Sequence, residues 1–381
     1  MVGPLQGVHI VEFAGIGPAP LCAMLLADLG ATVIRIDRVT PADIGLARPL
    51  QYDLVLRNRK TLRVDLKDPK GMALVRALLS RADALIEGFR PGVMERLGLG
   101  PEDCLTLNPK LVYGRMTGWG QEGPLAHSAG HDINYIAITG VLNAIGRQDA
   151  PPTVPLNVLG DYAGGSLYLA IGLLSGILEA RNSGKGQVVD AAIVDGVTSL
   201  MTVLLGLWHA GMMNEGRGAN LLDSGSPFYD VYLCADDQYV SVGPIERKFY
   251  LQLLEKLELE APELRTPQDR ASWPAIREAL SRRFASQPRA HWEALLAGTD
   301  CCFAPVLDIA QAMQHPHLKA RKTFVEVDGI LQPAPAPRFS RTPAGKISPP
   351  AAPTLENARA ALAQWLSSES IEAFAAEGAF L

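Results

Sequence analysis

Over residues 1 to about 190, short runs rich in β-branched and apolar residues alternate with stretches whose apolar positions recur at helical spacing. The strand-like runs include "GVHIVEF", "TVIRID", "ADALIEGF", "LVYGRMTGWG" and "GQVVDAAIVDG". Such alternation predicts an α/β fold, with a mainly parallel, Rossmann-like sheet covered by helices. Long helical candidates lie inside it at about 134–145 and 163–181. Residues 196–213, "GVTSLMTVLLGLWHAGMM", carry no formal charge and approach the length of a membrane span. Thr198, Ser199, Thr202, His209 and the glycines argue against a span. A helix apolar all round predicts a connector buried between domains or subunits.

A second, smaller α+β domain is expected to begin at "PFYDVYLCADDQYVSVG", where two strand-like runs surround the turn signal "ADDQ". Helical stretches follow near 246–257 and 274–297. The proline-rich run "GILQPAPAPRFSRTPAGKISPPAAPT" predicts an extended strap that returns the chain to the first domain, ending in a helix at about 355–366. The expected division is a large domain over 1–190, a linker helix over 191–223, a small domain over 224–328, and the strap with its helix over 329–381. No internal repeat is visible.

At 381 residues the chain exceeds what one core usually serves, which agrees with two domains. A net charge of −5 gives no general reason to expect nucleic acid or an anionic membrane as partner. The five cysteines form no CxxC pair, so neither a disulfide framework nor a metal site is expected, and adjacent Cys301 and Cys302 suggest core. The N-terminal stretch lacks a basic region followed by a signal-type apolar run, and a cytoplasmic protein is expected.

Two glycine-rich phrases invite nucleotide readings. "AGIGPAP" follows a strand and precedes a helix, with Asp37 about twenty residues on, which outlines a dinucleotide fingerprint. Pro20, however, stands where the third glycine is needed, and Pro18 and Pro20 suit a helix's first turn, so an ordinary strand-to-helix turn is favoured. "SGKGQVVD" has Gly186 where a phosphate loop needs Ser or Thr, and its helix precedes its strand, the reverse of the required order. A polyphosphate ligand is still suggested by the basic cluster Arg57, Arg59, Lys60, Arg63, Lys67 and Lys70, with Arg38, Arg90 and Arg96 in the same expected sheet. The alternative is a solvated face.

Three segments place an acid/base side chain where a glycine turn enters a helix: "AGHDINYIAITG" with His131 and Asp132, "VLGDYAGGS" with Asp161, and "VSVGPIERK" with Glu246. Each alone could be a helix cap or a first-turn acid. Together they suit proton transfer, because helix N-termini offer N–H donors to a developing oxyanion.

These segments, with "LRNRKTLRVDLKDPKG", "LIEGFRPGVMERLGLGPEDCLTLNPKLVYGRMTGWGQEGP", "LNVLGDYAGGS", "SGKGQVVDAAIVDG" and "FYDVY", resemble in order and spacing the class III CoA-transferase family, specifically its α-methylacyl-CoA racemase branch. The resemblance runs from residue 1 to about 365. It implies a Rossmann-like large domain, a small domain and an interlocked homodimer. It makes His131 and Asp161 a catalytic acid/base pair, with Glu246 orienting His131. For the CoA moiety it implies Ile16 in the first turn, Arg38, Val64, Asp65, Leu66 and Lys67, then Gly88, Phe89, Arg90 and Arg96, and the motif Gly130, His131, Asp132, Ile133, Asn134 and Tyr135. Arg57, Arg59 and Arg63 are not all supported by it.

The implied activity is an isomerase that interconverts the (2R) and (2S) forms of a 2-methyl-branched acyl-CoA thioester by 1,1-proton transfer through an enolate. It implies no permanently bound cofactor, the CoA moiety being carried by the substrate, and no nucleic-acid or membrane partner. The alternatives are a CoA transferase using Asp161 as nucleophile, or a CoA-thioester-binding protein without catalysis.

Overall fold

The structure, a computed structural model, describes residues 3–40, 45–213 and 216–380. The strand-like runs of the first half form one parallel sheet: β1 (His9–Phe13), β2 (Thr32–Asp37), β3 (Lys60–Arg63), β4 (Ala84–Glu87), β5 (Val112–Thr117) and β6 (Gln187–Ala192). Their order is β3-β2-β1-β4-β5-β6, the doubly wound arrangement of a Rossmann-like fold. β1 and β4 read as near-continuous apolar runs because helices cover both faces of the sheet. Glu12 and Glu87 interrupt those runs and are nonetheless fully buried. The strand order reverses between β1 and β4, and in such sheets ligands bind outside the strand C-termini at that reversal.

The chain forms two compact units. One draws on 1–139, 156–200 and 322–381, the other on 140–155 and 201–321. The second unit has an antiparallel sheet of β7 (Asp230–Leu233), β8 (Tyr239–Val242) and β9 (Phe303–Val306), the first two joined through the "ADDQ" turn. Its core gathers Tyr232, Val240, Tyr250, Phe284 and Trp292. Residues 140–155 are tied into this unit by Arg147, which pairs with the buried Asp230 at 2.7 Å. The helix expected over 274–297 is two, Trp273–Phe284 and Arg289–Leu296, divided at Pro288, whose ring cannot continue a helix. Cys301 is core as expected, whereas Cys302 is exposed, with φ 49° turning its side chain out of the cluster.

Other expected elements are also subdivided. The candidate over 134–145 breaks at Gly140, φ 86°, into Asp132–Ile138 and Val141–Ala144. The linker is two helices, Ile193–Leu200 and Thr202–His209. Thr198 Oγ1 bonds back to the Val194 carbonyl at 2.7 Å, an arrangement that bends helices. Within the single chain the first linker helix buries Ile193 and Val197, whereas the second is exposed: Val203 is 70% and Trp208 45% exposed. Residues Val158–Ser183 are long and apolar enough to cross a membrane by length and composition, but they pack on β5, β6 and the helix Pro18–Asp28 as part of the sheet's helical cover.

The proline-rich run is not wholly extended. It opens inside a hairpin of β10 (Phe324–Val327) and β11 (Ile330–Pro333), and it is irregular only from there to Thr354. Helices Leu355–Leu362 and Ser368–Ala376 follow, the second unforeseen in the sequence. Ala358, Leu362, Trp365 and Phe380 complete the core built on Leu62, Leu74 and Leu78.

Candidate active site

A cavity of about 1040 Å³ lies at the C-terminal ends of β1, β2, β4 and β5, where the strand order predicts a ligand. Its described lining comes entirely from the first unit. The "AGIGPAP" turn forms one wall. Gly17 sits at φ 69°, and Pro18 opens the following helix, where its missing N–H would have had no partner. A side chain at Gly17 would start 3.1 Å from Asp161 Oδ2, so only glycine brings this turn so near the carboxylate.

His131 is the N-cap residue of the helix Asp132–Ile138. Asn134 reaches back to accept the His131 N–H at 3.0 Å, fixing the entry of the chain. Tyr135 donates its hydroxyl hydrogen to the Gly130 carbonyl and meets Trp119 edge-on, centroids 4.7 Å apart. Gly118 and Gly130 leave room for that ring, which an added Cβ at either would strike.

Asp161 lies in a wide, π-type turn, Val158–Ser166, that runs into the helix Leu167–Ser183. Such wide turns are rare and cluster at functional sites. Ser166 Oγ lies 2.7 Å from the Pro18 carbonyl and 3.1 Å from that of Asp161, tying the turn to the first helix. Burial pushes the Asp161 carboxyl above the ordinary aspartate value. The amide of Asn157, donating to Oδ2 at 3.1 Å, opposes this, and the charge of Asp132 adds to it.

Asp132 does not cap a helix. It is the first residue inside its own helix, and its buried carboxylate turns to the π-type turn, where Oδ2 accepts the Asp161 N–H at 2.6 Å. The Gly160 N–H also bonds it, and burial raises its carboxyl despite both. The segment carrying His131 is thereby bonded to the one carrying Asp161.

Of the residues singled out in the sequence, Ile16, Arg38, Gly88, Phe89, Arg90, Gly130, His131, Tyr135 and Asp161 line the cavity. Val64 is core and Leu66 packs against it; Asp65 and Lys67 are exposed outside the cavity lining, as is Arg96, whose guanidinium folds beside Gly92. Asp132, whose side chain is buried next to the lining residue His131, and the exposed Ile133 and Asn134 are not among the lining residues. Glu246 is the exposed N-cap residue of the helix Arg247–Lys256 in the second unit, and its side chain makes no capping bond.

The basic cluster is partly dispersed. Arg57 is buried against Asp28 at 2.5 Å and also donates to Gln332, while Arg59 is buried against Glu12. Their charges are compensated inside the fold and are not offered to a ligand. The cavity instead gains Arg35, paired with Asp37 at 2.6 Å, and Arg48, paired with Asp53 at 2.6 Å, neither foreseen in the sequence. Among the described residues no group of three or more His, Cys, Asp or Glu is placed to hold a metal ion.

The doubly wound sheet with an imidazole and a carboxylate on one cavity wall is that of a known class: the chain belongs to CoA-transferase family III, whose pattern matches residues 5–359. It is 42% identical over 342 residues to the α-methylacyl-CoA racemase of Mus musculus, covering 89% of this chain and 87% of that protein, and 42% identical to that of Homo sapiens. Identity to the acetyl-CoA:oxalate CoA-transferase of Acetobacter aceti is 31%, over 94% of this chain and 95% of the relative. A CaiB/BaiF family protein from Brucella suis has the same fold, with a TM-score of 0.79 at 24% identity over 96% of this chain and all of that one.

Proposed function

We infer that the chain is an isomerase that racemises 2-methyl-branched acyl-CoA thioesters by 1,1-proton transfer. The observation that carries this reading is His131 and Asp161 on the walls of one cavity, their segments joined through Asp132, in a chain 42% identical to racemases. One base removes the α-proton, a planar enolate forms, and the other group protonates the opposite face. The thioester α-proton is weakly acidic, so stabilising the enolate oxygen supplies much of the rate; a well-placed donor is worth roughly 3–4 kcal/mol. The Asp132 N–H, in the first turn after His131, has no acceptor within its helix and is the donor assigned to that oxygen.

For the CoA phosphates the reading assigns Arg38 and Arg90 on the cavity wall, with Arg96 and the Val64–Lys67 segment held only by the resemblance. The resemblance likewise supports Glu246 as the residue that orients His131, and the CoA moiety as the only non-protein group required. An interlocked homodimer is supported by the apolar side chains that the linker exposes, Val203 and Trp208 among them. The ordinary composition and charge of −5 suit a cytoplasmic protein.

The CoA-transferase alternative draws on the 31% identical transferase and on Asp161, whose carboxylate could attack a thioester to form an anhydride. That chemistry has no use for His131. One purified enantiomer of a 2-methylacyl-CoA, incubated alone and followed by chiral chromatography, separates the two. Racemisation without a second acid supports the isomerase; an unchanged stereocentre, with CoA moved only when an acceptor acid is added, sinks it.

A further inference from the structure

The end of β4 carries a carboxylate that the mechanism does not use. Glu87 is wholly buried at a strand position where two covered faces call for an apolar side chain. Both of its oxygens are engaged. Oε1 accepts Arg115 Nε at 2.9 Å, and Oε2 accepts the backbone N–H of Phe89, two residues along, at 2.7 Å. Arg115 is gripped again by Glu95, at 2.8 and 3.3 Å, from the short helix Val93–Arg96. The loop between β4 and that helix is thus held at both ends by one charged cluster. Of the five residues between, Gly88, Phe89, Arg90 and Pro91 line the cavity.

We propose that Glu87 is a positioning residue for the CoA-thioester site: it fixes the Gly88–Phe89 peptide, and hence the direction in which Arg90 leaves the wall, by accepting the Phe89 N–H. The proposal rests on the CoA-thioester reading above. Stability alone does not explain a carboxylate here, because a buried ion pair replaced as a whole by apolar residues of similar volume often costs little. Burial pushes the Glu87 carboxyl up, and the Phe89 N–H and Arg115 oppose that. What the carboxylate provides and a methionine would not is an acceptor at one particular backbone N–H. Phe89 is steadied a second time by its ring, edge-on to Phe13 with centroids 6.3 Å apart, so both its peptide and its side chain are held.

The test compares three variants by titration calorimetry with CoA itself and by KM and kcat with a 2-methylacyl-CoA. Glu87→Met has no acceptor, Glu87→Gln keeps one, and Glu95→Gln loosens Arg115 and the Gly92 N–H without touching the Phe89 N–H. The expected result is that Glu87→Met raises both the Kd for CoA and the thioester KM about tenfold with kcat within about twofold, since a misplaced wall weakens ground and transition states alike. Glu87→Gln recovers most of that loss, and Glu95→Gln stays within about twofold of the parent. A folded Glu87→Met protein with unchanged Kd overturns the proposal. So does a Glu95→Gln protein as impaired as Glu87→Met, or failure of both Glu87 variants to fold, since each makes the carboxylate merely structural. A parent protein that binds CoA but leaves the stereocentre unchanged sinks the racemase reading and leaves the role of Glu87 standing.

Discussion

The carboxylate of Asp132 accepts the backbone N–H of Asp161 at 2.6 Å, so the residue next to one proposed proton carrier holds the other in place. Asp132→Ala should therefore lower kcat far more than it raises KM. A shift of about 1 Å between reacting groups costs on the order of 10²-fold. It should also cost roughly 1–3 kcal/mol of stability, because the Gly160 and Asp161 N–H groups lose their acceptor. Asp132→Asn, which keeps an acceptor oxygen, should recover most of both. Chiral turnover and the denaturant midpoint check the pair together.

His131→Ala and Asp161→Asn should each abolish interconversion of the enantiomers, since net racemisation needs a base on either side of the α-carbon. Each variant should retain slow deuterium uptake from D₂O into the one enantiomer served by the surviving base. Neither change removes the helix N–H assigned to the enolate oxygen. NMR of each purified enantiomer reads this directly. Interconversion at near the parent rate in either variant would remove that residue from the mechanism.

Asp161 works as a base only when ionised, and burial raises its carboxyl. In the direction where Asp161 takes the proton, the acid limb of kcat/KM should lie above the ordinary aspartate value of about 3.9. Activity is present above that limb and is lost as pH falls through it. Asn157→Ala removes a bond that favours the charged form, so the limb should move to still higher pH. Profiles recorded from each enantiomer separately test the sign; a limb that moves down on losing Asn157 contradicts it.

Arg59 and Glu12 are paired and both buried, and burial pushes the Glu12 carboxyl up and the Arg59 guanidinium down. Arg59→Met leaves a buried carboxylate without its main partner and should destabilise by about 3–5 kcal/mol. The double variant Glu12→Gln/Arg59→Met should recover much of that, because neither charge then remains. Equilibrium urea unfolding of the single and double variants reads the difference.

The sheet was legible because each strand is a short apolar run set between helical spacing, a purely local signal. Arg57 and Arg59 were not: arginine reads as surface or ligand-facing, and the partners that bury them, Asp28 and Glu12, lie 29 and 47 residues away. Asp132 was visible as a helix-start acid, but its side chain bonds a segment 29 residues on, and chain spacing carries no information about that direction. The turn around Asp161 reads as a glycine-rich helix entry, and its width becomes apparent only where Ser166 meets Pro18. His131 and Asp161 stand out locally as acid/base residues where glycine turns enter helices, the resemblance pairs them, and both line one cavity. The last helix, Ser368–Ala376, did carry a local cue in Ser367, which caps it by accepting the Ser370 N–H.

The packing of Leu362, Trp365 and Phe380 against Leu62 and Leu74 sets a timetable for synthesis. The ribosome releases all six parallel strands, then residues 201–321 of the second unit, before the helices that close the first core. At ordinary translation rates that interval is roughly ten to thirty seconds. Until those helices emerge, Leu62, Leu74 and Leu78 lack the side chains that complete their core in the finished protein. The first unit is therefore begun before the second and closed after it, and its yield in a cell depends on what shields those leucines in between.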